Sequence, residues 1–543
     1  PASAPRVETH MSLSAMKFFF RLFLWVAALG LGLSWMPASA QPASAAAATA
    51  SSPVAPAATK VLRYAFPVAE TGFDPARIVD LYSRIVTAHI FESLYTYDHL
   101  ARPAKIKPLI AEGMPETSAD FRTWTVKLKK GIFFADDPAF NGQRREVVAQ
   151  DFVYAFKRFV DPANKSPVVA GFLDQKYLGL AALREKALKE KKPFDYDTPI
   201  EGIRALDSHT LQFKLEEPRP RFLESLAAND LLGAVAREVV EKYGDAIPAH
   251  PVGSGPFKLV QWRRSSLIAL ERNPQYRDMV YDAEPASDDA EGQALLARFK
   301  GRKLPMVDRV EVSIIEESQP RWLAFLNGQI DYINVPAEFV NQAVPNGKVA
   351  PNLAKLGVKA YRTLNADSAF TYFNMDDPVV GGYTPDRIAL RRAIALAMDV
   401  EREIRIIRRG QAVPAQSIIV PHTTGYDPHF KSENGDFDPA RAKALLDLYG
   451  YVDRDGDGWR ELPNGKPMTL EVATQPDQTS RQFDEMWKKN LERVGIRVKF
   501  FPGKWPEQLK AARAGKLQLW TLGSSAAAMD GQGSLARLYG PQS

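Results

Sequence analysis

Residues 109–158 constrain the fold of this chain more than any other stretch, because three kinds of backbone signal follow one another there. Residues 123–128 alternate polar and apolar side chains in a β-rich run, and Lys130-Gly131 is a turn signal. Asp151 is then expected to N-cap a helix. The apolar face of that helix is formed by Phe152, Ala155, Phe156 and Phe159. The segment therefore predicts a strand, a turn and a helix in close succession.

The whole chain has the length and composition of a soluble protein with more than one lobe. It has 543 residues, of which 45% are hydrophobic and 25% charged. Its formal charge of +6 is spread over interleaved acids and bases, as in residues 185–192 and 401–409. Such charges are typical of a solvated surface, so we expect no nucleic-acid partner. Short β-rich runs mix with helical ones, which predicts an α/β protein with more than one sheet.

Residues 1–40 have the pattern of upstream residues followed by a secretory signal peptide. A basic start at Lys17 and Arg21 precedes an apolar run over residues 22–33 and the small-x-small motif of residues 38–40. Cleavage is expected after Ala40. The alternative is a membrane anchor, for which the apolar run is short, since a span needs about 20 residues.

Residues 41–59 are almost wholly Ala, Ser, Pro and Thr, which predicts a disordered linker. The sequence contains no cysteine, so it has no disulfide, no thiolate metal ligand and no lipid-anchoring cysteine. Together with the signal peptide, this favours a free periplasmic protein rather than a lipoprotein.

An ordered series of motifs covers most of the remaining chain. After the segment of residues 109–158 come blocks at residues 202–227, 253–262, 271–277, 323–332, 373–375, 390–404 and 438–451. In content and order these blocks resemble family 5 of the extracellular solute-binding proteins of ABC importers, which includes oligopeptide- and dipeptide-binding proteins. The resemblance extends from Lys60 to about Trp520.

The resemblance implies a type II periplasmic-binding-protein fold, in which two lobes close over a ligand like a Venus flytrap. The first lobe would span residues 60–309 and contain an extra subdomain at about residues 91–200. The second lobe would span residues 310–543. Family members continue past the equivalent of Ser543 and return to the first lobe, so we expect this chain to be truncated at its C-terminus.

The function implied by the resemblance is that of a substrate-binding component without enzymatic activity or cofactor. Such a protein binds an oligopeptide-like small solute, acts as a monomer and delivers the solute to an inner-membrane ABC permease. Two alternatives stay open, an extracytoplasmic hydrolase and a sensory ligand-binding partner of a membrane receptor. No Walker A, G-x-G-x-x-G, G-x-S-x-G or H-E-x-x-H motif supports catalysis.

The ligand contacts implied by the resemblance lie in three places: a loop after the first strand, a glycine-rich turn, and strands of the second lobe. The candidate residues are Glu70, Thr71, Ser254, Tyr372, Asn374, Trp520, Ser524 and Ser525. In peptide-binding relatives an aspartate pairs with the peptide amino group. Ala527 stands at that position here, and Asp530 matches a second acid of the motif. The resemblance therefore implies an uncharged or N-blocked ligand.

An acidic, glycine-containing loop offers a weak calcium candidate. Its possible ligands are Asp453, Asp455, Asp457 and Glu461, spaced as in the first part of an EF-hand loop. Asn464 stands at the twelfth position, where a bidentate glutamate is needed. We therefore favour a plain acidic turn and expect no metal.

Overall fold

The computed structural model describes residues 59–102, 104–526, 529, 531–535 and 538. The predicted signal peptide, the linker up to residue 58, Ala527 and Asp530 lie outside the described residues. Within the described part of the chain, no helix combines the length and the apolar character that a bilayer span requires.

The strands are β1 (Val61–Phe66), β2 (Tyr95–Tyr97), β3 (Ile106–Pro108), β4 (Glu116–Thr117), β5 (Thr123–Lys127), β6 (Ile203–Asp207), β7 (Thr210–Lys214), β8 (Phe257–Arg263), β9 (Leu267–Arg272), β10 (Met279–Val280), β11 (Lys303–Leu304), β12 (Arg309–Ile314), β13 (Asp367–Phe373), β14 (Thr469–Thr474), β15 (Arg497–Pro502) and β16 (Leu519–Ser525).

The helices are α1 (Leu81–Ile90), α2 (Ala149–Val160), α3 (Val169–Leu173), α4 (Leu180–Glu190), α5 (Phe222–Ser225), α6 (Arg237–Tyr243), α7 (Ala290–Phe299), α8 (Ser318–Leu326), α9 (Val340–Ala343), α10 (Pro351–Lys355), α11 (Pro385–Ala397), α12 (Val400–Ile406), α13 (Pro439–Leu448), α14 (Gln478–Glu492), α15 (Trp505–Arg513) and α16 (Gln532–Leu535). Short 3₁₀ turns lie at Pro75–Arg77, Pro138–Phe140, Pro162–Asn164, Gly244–Ala249, Ala337–Phe339, Pro345–Gly347 and Glu433–Gly435.

The first sheet has the strand order β1-β12-β9-β8. Strands β1 and β12 are parallel, whereas β9 is antiparallel to both of its neighbours. The sequence-based boundary at residue 310 is therefore wrong, because β12 pairs with β1 and belongs to the first lobe. The chain after β12 also stays with this sheet, since the amide of Asp331 donates to the carbonyl of Arg63.

The second sheet has the order β13-β16-β14-β15 and defines the second lobe. Strands β14, β15 and β16 are parallel where they pair, and β13 runs antiparallel to β16. Its core combines strand residues such as Leu470 and Leu519 with helix residues such as Leu390 and Leu446. Among the described residues the chain passes from the first sheet to the second between β12 and β13.

The subdomain has its own sheet, in the order β4-β5-β7-β6. The predicted end of the subdomain at residue 200 is wrong, because β6 and β7 lie beyond it and pair with β5. Register explains the extension: Trp124 and Val126 of β5 lie opposite Phe213 and Leu211 of β7, and all four side chains are buried. Separating these strands would expose that apolar face.

Helix α2 provides much of the subdomain core. Phe152, Phe156 and Phe159 are fully buried, as the spacing of one helical face predicts. The ring of Phe156 lies 5.5 Å from that of Phe213 of β7. Asp151 is not the N-cap that we expected. It lies in the first turn, where its carboxylate accepts a 2.8 Å hydrogen bond from the Val148 amide and pairs with Arg145.

Candidate functional site

A cavity of about 160 Å³ lies between the first sheet (β1-β12-β9-β8) and the second sheet (β13-β16-β14-β15). It is lined by Pro67, Val68, Glu316, Glu317, Gln475, Pro476, Asp477, Lys504 and Trp505. Each of these residues follows the carboxyl end of a strand within three positions, after β1, β12, β14 and β15 respectively. Ligands of open α/β sheets bind in the crevice outside the carboxyl ends of the strands, so this cavity is the candidate site.

The parallel pairing in each sheet explains why these residues meet. Parallel neighbours place their carboxyl ends at the same edge, and β1 with β12 and β14 with β15 are parallel pairs. One edge of the first sheet therefore faces one edge of the second. The site consists of short loops attached to rigid strands, an arrangement that positions binding residues well.

The cavity lining carries three carboxylates, Glu316, Glu317 and Asp477, and one ammonium group, Lys504. The Asp477 carboxylate caps α14 and accepts from the amide and the hydroxyl of Ser480, at 2.9 Å and 2.6 Å. Arg321 of α8 stabilises the end of β12, because its Nη1 donates to the carbonyls of Ile315 and Glu316, at 2.6 Å and 3.0 Å. Burial lowers the pKa of Arg321.

The predicted loop residues Glu70 and Thr71 do not line this cavity. Glu70 is 1% exposed. Its Oε1 accepts from the Trp262 indole at 2.6 Å and from the Ser265 amide at 3.0 Å. The hydroxyl of Thr71 donates to Asp80. Both side chains thus tie the loop after β1 to neighbouring parts of the first lobe.

Ser254 is also buried, and its side chain bonds to other residues of the first lobe. Its hydroxyl donates to Oε2 of Glu92 at 2.9 Å. The same oxygen accepts from Arg277 at 2.8 Å. These three side chains join the loop after α1 to the chain around β8 and β9.

The aromatic candidates lie in the second lobe, but a different tryptophan lines the cavity. Trp520 is 2% exposed and packs behind Trp505, with 6.0 Å between the ring centroids. Tyr372 is half-buried on β13 and meets Trp520 edge to face at 6.5 Å. Burial raises the pKa of Tyr372. Trp505 therefore presents the aromatic surface that we expected from Trp520.

The remaining predicted contacts lie at the two ends of the β13 and β16 pair. Asn374 follows β13 and ties the chain to Gly515, since its Nδ2 donates to that carbonyl at 3.0 Å. Ser524 and Ser525 lie at the far end of β16, opposite Ser368 and Asp367. The structure thus separates Asn374 from the two serines and places Ser525 on an exposed strand end.

Comparison with known proteins identifies the family. Residues 105–543 match the model of the bacterial extracellular solute-binding proteins, family 5 Middle. The chain belongs to this family. The match covers more than half of the chain, including the subdomain and the second lobe.

Curated relatives of this solute-binding protein have different named ligands. It is 25% identical to the di/tripeptide-binding protein 2 of Pseudomonas aeruginosa, over 84% of this chain and 74% of that protein. It is 26% identical to the probable deoxycholate-binding periplasmic protein YgiS of Escherichia coli, over 92% of this chain and 80% of that protein.

Solved structures show the same two-lobe fold. One is the periplasmic binding protein DppA from Helicobacter pylori in complex with the peptide STSA, with a TM-score of 0.67 and 23% identity. The comparison covers 89% of this chain and 82% of the other. The α/β two-lobe fold that the resemblance implied is confirmed.

The residues that the sequence analysis missed share one property. Glu316, Glu317, Asp477, Lys504 and Trp505 all follow the carboxyl end of a strand within three positions. Strand prediction could have narrowed the search to the loops after strands, because the carboxyl ends of parallel strands form the usual ligand crevice. What it could not supply was which strands are parallel and which edges face each other.

The acidic loop of the second lobe does bring its four carboxylates together. Ligand oxygens of Asp453, Asp455, Asp457 and Glu461 lie within 4.8 Å of one another. Several already accept hydrogen bonds: Asp453 from the amides of Gly456 and Gly458, at 2.7 Å and 2.9 Å, and Glu461 from that of Arg454, at 2.7 Å. Asp457 also pairs with Arg497. These bonds stabilise an acidic turn by themselves, so the cluster gives no independent evidence for a cation.

Proposed function

We propose that this solute-binding protein is the substrate-binding component of an ABC importer. It closes its two lobes over a small solute and delivers it to an inner-membrane permease. The observation that carries the proposal is the cavity between the carboxyl edges of two separate sheets, since rigid-body closure of two lobes would enclose a ligand there. Family membership supports the same function.

The ligand that we propose is oligopeptide-like and uncharged or N-blocked. The peptide-binding relative and the peptide complex support the first part. Ala527 supports the second part, because an ammonium group taken from water needs a paired charge. Glu70 does not line the cavity, and its Oε1 accepts two hydrogen bonds from within the first lobe. The relative named for deoxycholate binding is also consistent with a ligand that has no amino group.

Contacts to the ligand would come from Trp505 and Tyr372 as apolar surfaces and from Ser524 and Ser525 as hydroxyl groups. Aromatic faces and a few polar groups are the usual lining of small-molecule sites. We also propose that cleavage after Ala40 produces the mature protein, which is periplasmic and acts as a monomer. Its non-enzymatic role is supported by relatives that are binding proteins.

Native mass spectrometry of the protein purified from a periplasmic extract tests the proposed function. A retained small molecule of peptide-like mass would support it. Progressive conversion of extract components by the protein would instead favour the hydrolase alternative. Binding with no role for a neighbouring permease in uptake would favour the sensory one.

Titration calorimetry with trialanine and N-acetyl-trialanine then tests the ligand class. We expect the acetylated peptide to bind more tightly, and tighter binding of free trialanine would contradict an N-blocked ligand. Trp505→Ala should weaken binding by about tenfold or more, as loss of a central aromatic contact does. Trp459→Ala, a tryptophan in the acidic loop, is the matched control and should leave affinity unchanged.

A further inference from the structure

One hydrogen bond of the cavity lining joins the two lobes. Glu317 follows β12 of the first sheet, and Gln478 is the first residue of α14, which follows β14 of the second sheet. Oε2 of Glu317 accepts a hydrogen bond from the backbone amide of Gln478 at 3.3 Å. The two residues are 161 positions apart, so this contact depends wholly on how the lobes meet.

The donor is one of the amide groups that a helix leaves without an internal partner. The first four N–H groups of a helix have no carbonyl acceptor within it, and the dipole of α14 favours an anion at that end. Asp477 caps the amide of Ser480, so its carboxylate does not use the Gln478 amide. The Gln478 amide is therefore available to a carboxylate from the other lobe.

The acceptor, Glu317, does not cap the helix that it precedes. Glu317 is the N-cap residue of α8, yet its side chain makes no capping bond to α8. It is directed instead toward the beginning of a helix in the other lobe. Arg321 fixes the backbone just before it through the carbonyls of Ile315 and Glu316, which limits the freedom that Glu317 would lose on bonding.

We propose that Glu317 and the first amide of α14 form a latch that stabilises the closed arrangement of the lobes. The latch goes beyond ligand binding, because it biases the two-lobe equilibrium in the protein without any solute. A ligand then meets a population already shifted toward closure, and its apparent affinity rises with that population. The ligand-dependent part of this inference rests on the proposed function.

Three substitutions separate the latch from general effects on charge or folding. Glu317→Ala removes the acceptor. Gln478→Pro removes the donor, and proline is well tolerated at the first position of a helix after a residue with extended backbone, as Asp477 has. Glu316→Ala is the matched control, because Glu316 lines the same cavity with the same charge but makes no side-chain hydrogen bond or ion pair among the described residues.

The distance between the lobes can be measured by double electron–electron resonance on spin labels. The chain has no native cysteine, so Lys189→Cys on α4 and Ala444→Cys on α13 would carry the only labels. We expect Glu317→Ala and Gln478→Pro to shift the ligand-free distance distribution toward the open state by about threefold to tenfold in population, as loss of one solvent-exposed hydrogen bond of 3.3 Å would. The double variant Glu317→Ala with Gln478→Pro should have nearly the same open population as either single variant, because both remove the same hydrogen bond.

Unchanged distances in both variants, with native circular dichroism, would overturn the latch. An equal shift in Glu316→Ala would also overturn it, because the effect would then be one of cavity charge. The measurement needs no ligand, so it stands if the proposed function fails. In that case N-acetyl-trialanine would not change the distances of the unsubstituted protein, while the two latch variants would still open.

Discussion

At the residue scale, the carboxyl group of Asp484 connects a single position to the stability of the second lobe. Asp484 lies on α14, and burial raises its pKa to about 6, partly opposed by a hydrogen bond from Thr474. Asp477 and Glu485 raise it further. The folded protein therefore binds a proton at this site more tightly than the unfolded chain does, because the unfolded carboxyl titrates near pH 3.8.

Asp484→Asn should consequently stabilise the protein at neutral pH. The cost of the buried charge develops between about pH 4 and pH 6 and is complete above that window. We expect the variant to gain about 1 kcal/mol in the free energy of unfolding at pH 7.5, after allowance for solvent screening, and almost nothing at pH 4. Urea unfolding at the two pH values measures this. An equal gain at both would show that the charge of Asp484 is not the cause.

The ion pair of Asp74 and Arg158 provides a second prediction at this scale. Both side chains are almost fully buried, and two parallel hydrogen bonds of 2.6 Å and 2.8 Å join them. Arg158→Met should destabilise the protein by about 3–5 kcal/mol, because it leaves a buried carboxylate without its main partner.

Two further variants check the cause of that effect. Adding Asp74→Asn to Arg158→Met should recover part of the loss, since no buried charge then remains. Arg122→Met removes an exposed arginine that lies 3.9 Å from Asp120 and should cost about 1 kcal/mol or less. Chemical denaturation of the three proteins gives the comparison, and equal losses in Arg158→Met and Arg122→Met would contradict it.

At the element scale, the charged excursion between β10 and β11 is predicted to be dispensable for folding. It contains α7 and contacts the subdomain through Glu284, whose carboxylate pairs with Lys105 and Lys107 and whose amide donates to the buried carboxylate of Asp98 at 3.0 Å. Tyr281 and Arg302 already face each other, as the Tyr281 amide donates to the Arg302 carbonyl at 2.8 Å. A two-residue turn could therefore close this antiparallel pair.

Replacing residues 282–301 by Asn-Gly should give a folded protein that has lost about 2–3 kcal/mol of stability. The exposed ion pairs contribute little, and the main loss is the hydrogen bond from the Glu284 amide to the buried carboxylate of Asp98, which keeps Lys107 as a partner. Circular dichroism and thermal unfolding would measure this, with Asn-Gly replaced by Val-Val as a control that lacks the turn chemistry. An insoluble Asn-Gly variant would mean that the excursion is part of the first-lobe core.

At the scale of the whole molecule, ligand binding should couple both lobes into one more stable unit. A solute that binds only the folded protein stabilises it by about 2.7 kcal/mol at a concentration one hundred times its dissociation constant. We expect N-acetyl-trialanine to raise the thermal midpoint and to reduce the radius of gyration together. A rise in the midpoint without compaction would indicate binding to one lobe alone. Small-angle scattering and calorimetry on the same samples test this.

The sequence predicted individual strands and helices better than it predicted which of them pair or pack together. The strand Thr123–Lys127 lies within the β-rich run of residues 123–128, and the helix from Ala149 carries its phenylalanines on the expected face. The start of that helix was misplaced, because Asp151 bonds back to Val148 from inside the first turn, and a short polar side chain suits both positions. The four carboxylates of the acidic loop do meet, since loop spacing is a local property.

The sequence by itself determined the family, the α/β class, the order of elements and the apolar faces, because these follow from local spacing and from motifs read along the chain. Only the tertiary structure decided that β12 pairs with β1, that Glu70 and Trp520 are buried, and that Trp505 and Glu317 line the cavity. Those facts depend on which strand edges meet across hundreds of residues. Long-range packing of this kind leaves no periodic signal in a single sequence.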